Sequence, residues 1–135
     1  MKKEKKQDAW GDLEIFTSKG AKIKNPKVTI LEGSTFLFNA AFVHQAGITK
    51  ALHVILAYSP EQNAITFQFT SDTQAEGVLT VVHRTGGSSV GSRSFFNYFF
   101  LDPKTLAGRY VPKKVKLPKI GDVWVIDLGT KLPEE

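Results

Sequence analysis

The chain has 135 residues and carries 18 Lys+Arg against 13 Asp+Glu, a formal charge of +5 and a pI near 9.5, with 41% hydrophobic residues, ten Phe and no Cys. That length fits one domain and excludes a large multidomain enzyme, while the apolar fraction is enough for a packed core. Without Cys there is no disulfide framework, thiolate nucleophile or thiolate-bound metal, and no apolar run reaches the roughly 18 residues of a membrane span.

The chain opens with Met1-Lys2-Lys3-Glu4-Lys5-Lys6-Gln7, which lacks the apolar stretch of a signal peptide and leads us to expect a cytoplasmic protein. Residues 1–26 read as a basic, partly disordered N-terminal segment, and 27–135 as a single domain. The domain begins with Val28-Thr29-Ile30-Leu31, turns at Glu32-Gly33-Ser34 and continues as Thr35-Phe36-Leu37-Phe38. Asn39 is then a good N-cap and Gly47 a good helix-ending residue, so the Ala-rich stretch between them predicts a two-turn helix. Leu52–Tyr58 and Ala64–Thr70 are predicted strands joined by Ser59-Pro60-Glu61-Gln62-Asn63. Ile65, Phe67 and Phe69 alternate with polar neighbours, as on a half-buried strand.

The same order recurs from Val78 to Leu128. Val78–Val82 is a predicted strand, Arg84–Ser88 a turn, and Ser89-Val90 a short strand leading to Ser92 or Ser94 as a helix cap. Phe95–Leu101 is the predicted helix, followed by the loop Asp102-Pro103-Lys104 and the strands Arg109–Leu117 and Val123–Leu128. Gly33-Ser34-Thr35 lines up with Gly87-Ser88-Ser89, and Ala41-Phe42 with Phe95-Phe96. The expected fold is mainly β (α+β): a pseudo-symmetric, barrel-like domain of two strand-strand-helix-strand-strand repeats, 27–70 and 78–128, neither of which buries a core alone.

In Lys27-Val28-Thr29-Ile30, Phe36-Leu37-Phe38-Asn39, Ala46-Gly47-Ile48 and Val54-Ile55-Leu56, this layout resembles the AbrB/MazE/SpoVT family of swapped-hairpin DNA-binding proteins. It also resembles small bacterial and phage proteins with the same order of elements. The family resemblance implies that one chain here supplies the two halves that the family assembles as a dimer, and it implies DNA as the partner. The family's basic residue before the helix is missing from Glu32-Gly33-Ser34-Thr35, while the second repeat has Arg84 and Arg93 there.

The charge is segregated. Residues 84–121 hold eight basic residues (Arg84, Arg93, Lys104, Arg109, Lys113, Lys114, Lys116 and Lys119) against Asp102 alone, whereas residues 28–83 hold Lys50 against four acids. Such density is the footprint of a polyanion binder, so these eight are the expected nucleic-acid contacts, to DNA rather than RNA. On a strand, Lys114 and Lys116 share one face, as a phosphate stripe requires. A solvated face that aids solubility has the same composition. In the run Phe95–Phe100, a helix places Phe96, Phe99 and Phe100 on one face with Tyr98 beside it; these four suit base stacking, an interface or plain core packing. Gly86–Ser94 suits either a phosphate-holding loop or a flexible hairpin tip.

Nothing points to catalysis. His44, His83 and His53 lack metal-ligand spacing, His53 reading as an inter-strand residue, and no Gly-x-Ser-x-Gly elbow occurs. We therefore expect no enzyme, cofactor, metal, membrane or small-molecule substrate, and a DNA-binding accessory or regulatory protein. The alternatives are a non-enzymatic protein-interaction module, as a phage or host accessory subunit, and a single-strand binder using the Phe-rich helix; a homodimer is compatible with each.

Overall fold

A computed structural model describes residues 25–48 and 52–133. The expected disorder of the N-terminal segment falls outside the described residues, apart from Asn25 and Pro26. Among the described residues ten strands follow in chain order: β1 (Val28–Leu31), β2 (Thr35–Asn39), β3 (His53–Ser59), β4 (Ala64–Thr70), β5 (Leu79–Thr80), β6 (Val82–Arg84), β7 (Gly87–Gly91), β8 (Gly108–Tyr110), β9 (Lys113–Leu117) and β10 (Gly121–Asp127). Helix α1 (Ala40–Ala46) follows β2, helix α2 (Arg93–Tyr98) follows β7, and a single turn α3 (Pro103–Leu106) precedes β8. Among the described residues no helix is long and apolar enough to cross a membrane.

The strands form two five-stranded antiparallel sheets, ordered β6-β7-β2-β1-β8 and β5-β3-β4-β10-β9. In each, a hairpin from the first half of the chain meets one from the second half through their second strands, β2 against β7 and β4 against β10. Period-2 alternation fixes the faces: Val28, Ile30, Phe36 and Phe38 of one sheet and Val54, Ile65, Phe67 and Ile126 of the other are buried in a shared core. Phe36 and Phe38 both meet the edge or face of Phe67, at 5.0 and 5.6 Å between ring centroids, so the sheets pack directly on one another.

The expected barrel-like closure is not what forms. At one side the chain leaves β5 and enters β6 of the other sheet through the buried Val81; at the opposite side it leaves β8 for β9 through Val111-Pro112. Each crossing is a covalent link without a ladder across it, and Pro112 has no N–H to offer one. Two strands expected to be continuous, Val78–Val82 and Arg109–Leu117, are therefore each divided between the sheets.

Helix α1 forms as its caps dictate. Asn39 Oδ1 accepts from the Phe42 N–H at 2.9 Å, and Gly47 takes the left-handed conformation, φ 66°. Helix α2 begins two residues earlier and ends three residues earlier than its apolar run predicts. Asp102 caps the unforeseen α3 by accepting from the Lys104 N–H and the Thr105 hydroxyl, both at 3.0 Å. These bonds, the Thr105 hydroxyl foremost, hold its carboxyl below the ordinary aspartate value.

Candidate functional site

The eight basic residues expected to line one nucleic-acid surface are divided by the fold. Strand β7 runs from Gly87, opposite Asn39 where α1 starts, to Gly91, opposite Thr35 where α2 follows. Arg84, paired with Gly87, therefore lies at the α1 end, and Arg93 lies beyond the other end of the strand. Roughly 13 Å of β7 separates the two ends. Lys104 belongs to α3, in the connection that leaves the end of α2. Arg109 lies on β8 at the sheet edge opposite β6, four strand spacings or roughly 19 Å away, and its guanidinium donates to the Pro133 carbonyl at 3.0 Å.

Two of the eight, Arg84 and Lys114, line grooves on the flanks of α1. In β9, Lys114 lies opposite Trp124 and Lys116 opposite Asp122, so both side chains leave the sheet on the Trp124 face. Trp124 packs edge-on to Phe42 of α1 at 5.0 Å, and Lys114, Asp122 and Trp124 line a groove of about 200 Å³ with Gln45 and Ala46. Lys119 sits in the Pro118-Lys119-Ile120 turn that closes the β9–β10 hairpin at this end. Lys113 leaves the opposite face of the sheet beside Val115. Lys114 forms an ion pair with Asp122 at 3.5 Å, both side chains more than half exposed, and among the described residues Lys116 and Lys119 have no carboxylate within ion-pair distance.

On the other flank of α1, a groove of about 430 Å³ is lined by Val43, His44, Gly47, His83, Arg84, Thr85 and Ser88. A second groove of about 300 Å³ on the outer face of this sheet is lined by Thr29, Leu37, Asn39 and again Arg84, whose Nε lies 3.5 Å from Ser89 Oγ. Helix α1 thus has Arg84 on one side and Lys114 on the other, with Lys116 and Lys119 farther along the β9–β10 hairpin.

The groove beside α1 contains a pair that sequence reading missed: Ser88 Oγ is 2.9 Å from His83 Nδ1. The two residues face each other across the β6–β7 hairpin, whose turn is only Thr85-Gly86. The five-residue spacing would have revealed this had the turn been assigned two residues rather than five. Among the described residues no third group extends the pair into a catalytic triad, and no group of three or more His, Asp or Glu is placed to hold a metal ion. The stretch expected as a phosphate loop or flexible tip, Gly86–Ser94, is instead largely the inner strand β7, with Ser88, Ser89 and Ser92 buried. The amides of β7 are engaged in ladders to β2 and β6, so that strand offers no anion-holding loop.

The aromatic run is also divided. Phe96 is fully buried and stacks on Phe36 (5.4 Å, 25°), Phe95 is buried, and Phe99 is half-buried against Tyr58. Tyr98 and Phe100 are exposed. The single face expected for Phe96, Phe99 and Phe100 does not form, because the helix ends at Tyr98 and Phe100 takes φ 54°. His53 is half-buried in β3 opposite Thr80, with a buried Nδ1 that has no hydrogen-bond partner.

Comparison with protein-family models, curated proteins and solved structures finds no match to the chain.

Proposed function

We propose that the protein binds DNA through the α1 end of the domain, as a cytoplasmic accessory or regulatory factor, with Arg84, Lys114, Lys116 and Lys119 on the phosphate backbone. The observation that carries this reading is that one basic residue from each sheet, Arg84 and Lys114, lines a groove on either flank of one short helix, with Lys116 and Lys119 on the same hairpin as Lys114. Lysines on an edge strand such as β9 also discourage edge-to-edge pairing of sheets, but that role does not require Arg84 on the far flank of α1. Cations on both sides of a helix suit a duplex, whose two backbones border each groove.

The pairing of β2 with β7 and of β4 with β10 supports reading the chain as a duplication, each half giving a hairpin, a helix and a hairpin. The matching turns differ by one residue: three in Glu32–Ser34 against two in Thr85-Gly86, and four in Pro60–Asn63 against three in Pro118–Ile120. That order agrees with the swapped-hairpin resemblance, in which two such halves make one DNA-binding unit.

The test is duplex binding across a salt series. The wild type should bind at 50 mM salt with a steep salt dependence, and the K114A/K116A/K119A variant should lose about 0.9 in slope for each phosphate contact removed. R93A/K104A should leave duplex binding within about twofold. Salt-insensitive binding, or equal loss in the two variants, would sink the assignment.

A further inference from the structure

The end of α2 and its connection to α3 display two aromatic rings that the core does not use. Tyr98 is 76% exposed and Phe100 93% exposed. Phe100 occupies the position after a helix where glycine is ordinarily found: its N–H bonds to the Asn97 carbonyl at 3.2 Å, and the Leu101 N–H closes onto the Phe96 carbonyl at 2.9 Å. Its φ of 54° is unfavourable for a residue with a bulky side chain, and exposure of the ring to water adds nothing to folding. Stability would favour glycine here on both grounds.

Tyr98 is presented on a firm base, and Phe100 is held by the backbone hydrogen bonds just described. Phe99 meets Tyr98 edge-on at 4.8 Å, Phe95 at 5.2 Å and Tyr58 at 5.4 Å, and Phe95 and Phe96 are anchored in the core. Arg93 at the start of α2 and Lys104 in α3 are exposed on either side of this stretch in the chain. The acid between them, Asp102, is engaged by the Lys104 N–H and the Thr105 hydroxyl.

We propose that this surface is a stacking platform for a single-stranded nucleic acid, with Tyr98 and Phe100 taking the faces of unpaired bases and Arg93 and Lys104 the adjoining backbone. The inference rests on the nucleic-acid reading above and adds a second contact of a different kind. A duplex keeps its base faces stacked internally, so it has nothing to offer these rings; a single strand does. A self-complementary contact between two copies is disfavoured, because it would bring the Arg93 and Lys104 charges of one copy against those of the other.

The experiment measures binding of the full chain to an oligothymidylate and to a duplex of equal length, by fluorescence anisotropy. Y98A/F100A should bind the single strand more weakly by roughly tenfold for each ring lost, with duplex affinity within about twofold of wild type. F100G guards against misfolding as an explanation: it should melt at higher temperature than wild type and still bind the single strand about tenfold more weakly. K114A/K116A/K119A should show the reverse selectivity, losing duplex. Duplex binding without single-strand binding overturns the platform and leaves the α1 assignment standing; binding of neither overturns both. Single-strand affinity unchanged in Y98A/F100A and F100G, or a wild-type dimer that these substitutions dissociate in sedimentation, also overturns the platform.

Discussion

Ser92 donates both its backbone N–H and its hydroxyl to one acceptor, the carbonyl oxygen of Ser34, at 2.9 and 3.0 Å and across 58 residues of sequence. Ser92 precedes α2, yet its side chain does not cap that helix. It ties the entry of α2 to the β1–β2 turn, where Ser34 sits with φ 69°. The arrangement joins the helix of one half of the chain to the hairpin of the other, as the stacking of Phe36 on Phe96 does in the core.

Replacing Ser92 by Ala removes the hydroxyl bond but leaves the carbonyl its N–H partner. S92A should therefore lower the unfolding free energy by only about 1 kcal/mol, the net worth of one buried neutral hydrogen bond. Urea denaturation monitored by Trp124 fluorescence would measure it; a loss well beyond that would mean that the Ser92 hydroxyl has a further role.

Two glycines of β7 should respond in opposite directions. A Cβ on Gly87, at φ 153°, would collide with the Phe38 carbonyl oxygen of the neighbouring strand, whereas one on Gly91 meets nothing within 4 Å and needs no positive φ. G87A should cost at least about 3 kcal/mol through backbone displacement in a central strand. G91A should raise stability by about 0.5 kcal/mol by restricting the unfolded chain. Thermal melts of the two variants decide it, and a tolerated G87A would mean that β2 and β7 are less closely apposed than described.

Tyr110 is fully buried on β8, and its hydroxyl donates to the Leu106 carbonyl at the end of α3, 2.6 Å away. Burial raises the phenol above its ordinary value. A group raised in this way contributes stability that is complete below its unfolded pKa and is lost as pH rises through the folded one. Y110F should be about 1 kcal/mol less stable at neutral pH. It should also lack the part of the stability loss that sets in above about pH 10 in the wild type. Denaturation midpoints between pH 8 and 11 would show whether the two curves converge.

These residues also mark how far the sequence could be read. Helix α1 was legible because its determinants, Asn39 and Gly47, act within the helix itself, and β1, β2 and β4 because one face of each is buried and period 2 records it. The strand breaks at Val81 and Val111-Pro112 were not, since passage from one sheet to another depends on what the strand pairs with. The end of α2 was hidden for a related reason: Phe100 takes a conformation that no Gly or Asn announces. Buried Ser88 looked like loop material because its partner, His83, is supplied across a hairpin. The charge density of residues 84–121 was plain, but strand order decides that Arg84 and Arg109 occupy opposite edges of one sheet while Arg84 and Lys114 flank the same helix.

The ion pair between Lys114 and Asp122 bears directly on the proposed duplex contact. Both side chains are more than half exposed, so the pair contributes at most about 1 kcal/mol to folding, and D122N should fold almost as stably as the wild type. For binding the effect is larger in relative terms, because a phosphate must compete with the carboxylate for the Lys114 ammonium, and the carboxylate itself repels the backbone. Removing that charge should strengthen duplex binding by about two- to fivefold at 50 mM salt and steepen the salt slope by up to about 0.9, as Lys114 becomes fully available for counterion exchange. K114A should move both quantities the other way, and adding D122N to K114A should restore only the part due to long-range repulsion. Anisotropy titrations of the four proteins against one duplex complete the double-mutant cycle: additive effects would show that Asp122 does not compete with phosphate for Lys114, and an unchanged salt slope in K114A would show that Lys114 is not among the residues on phosphate.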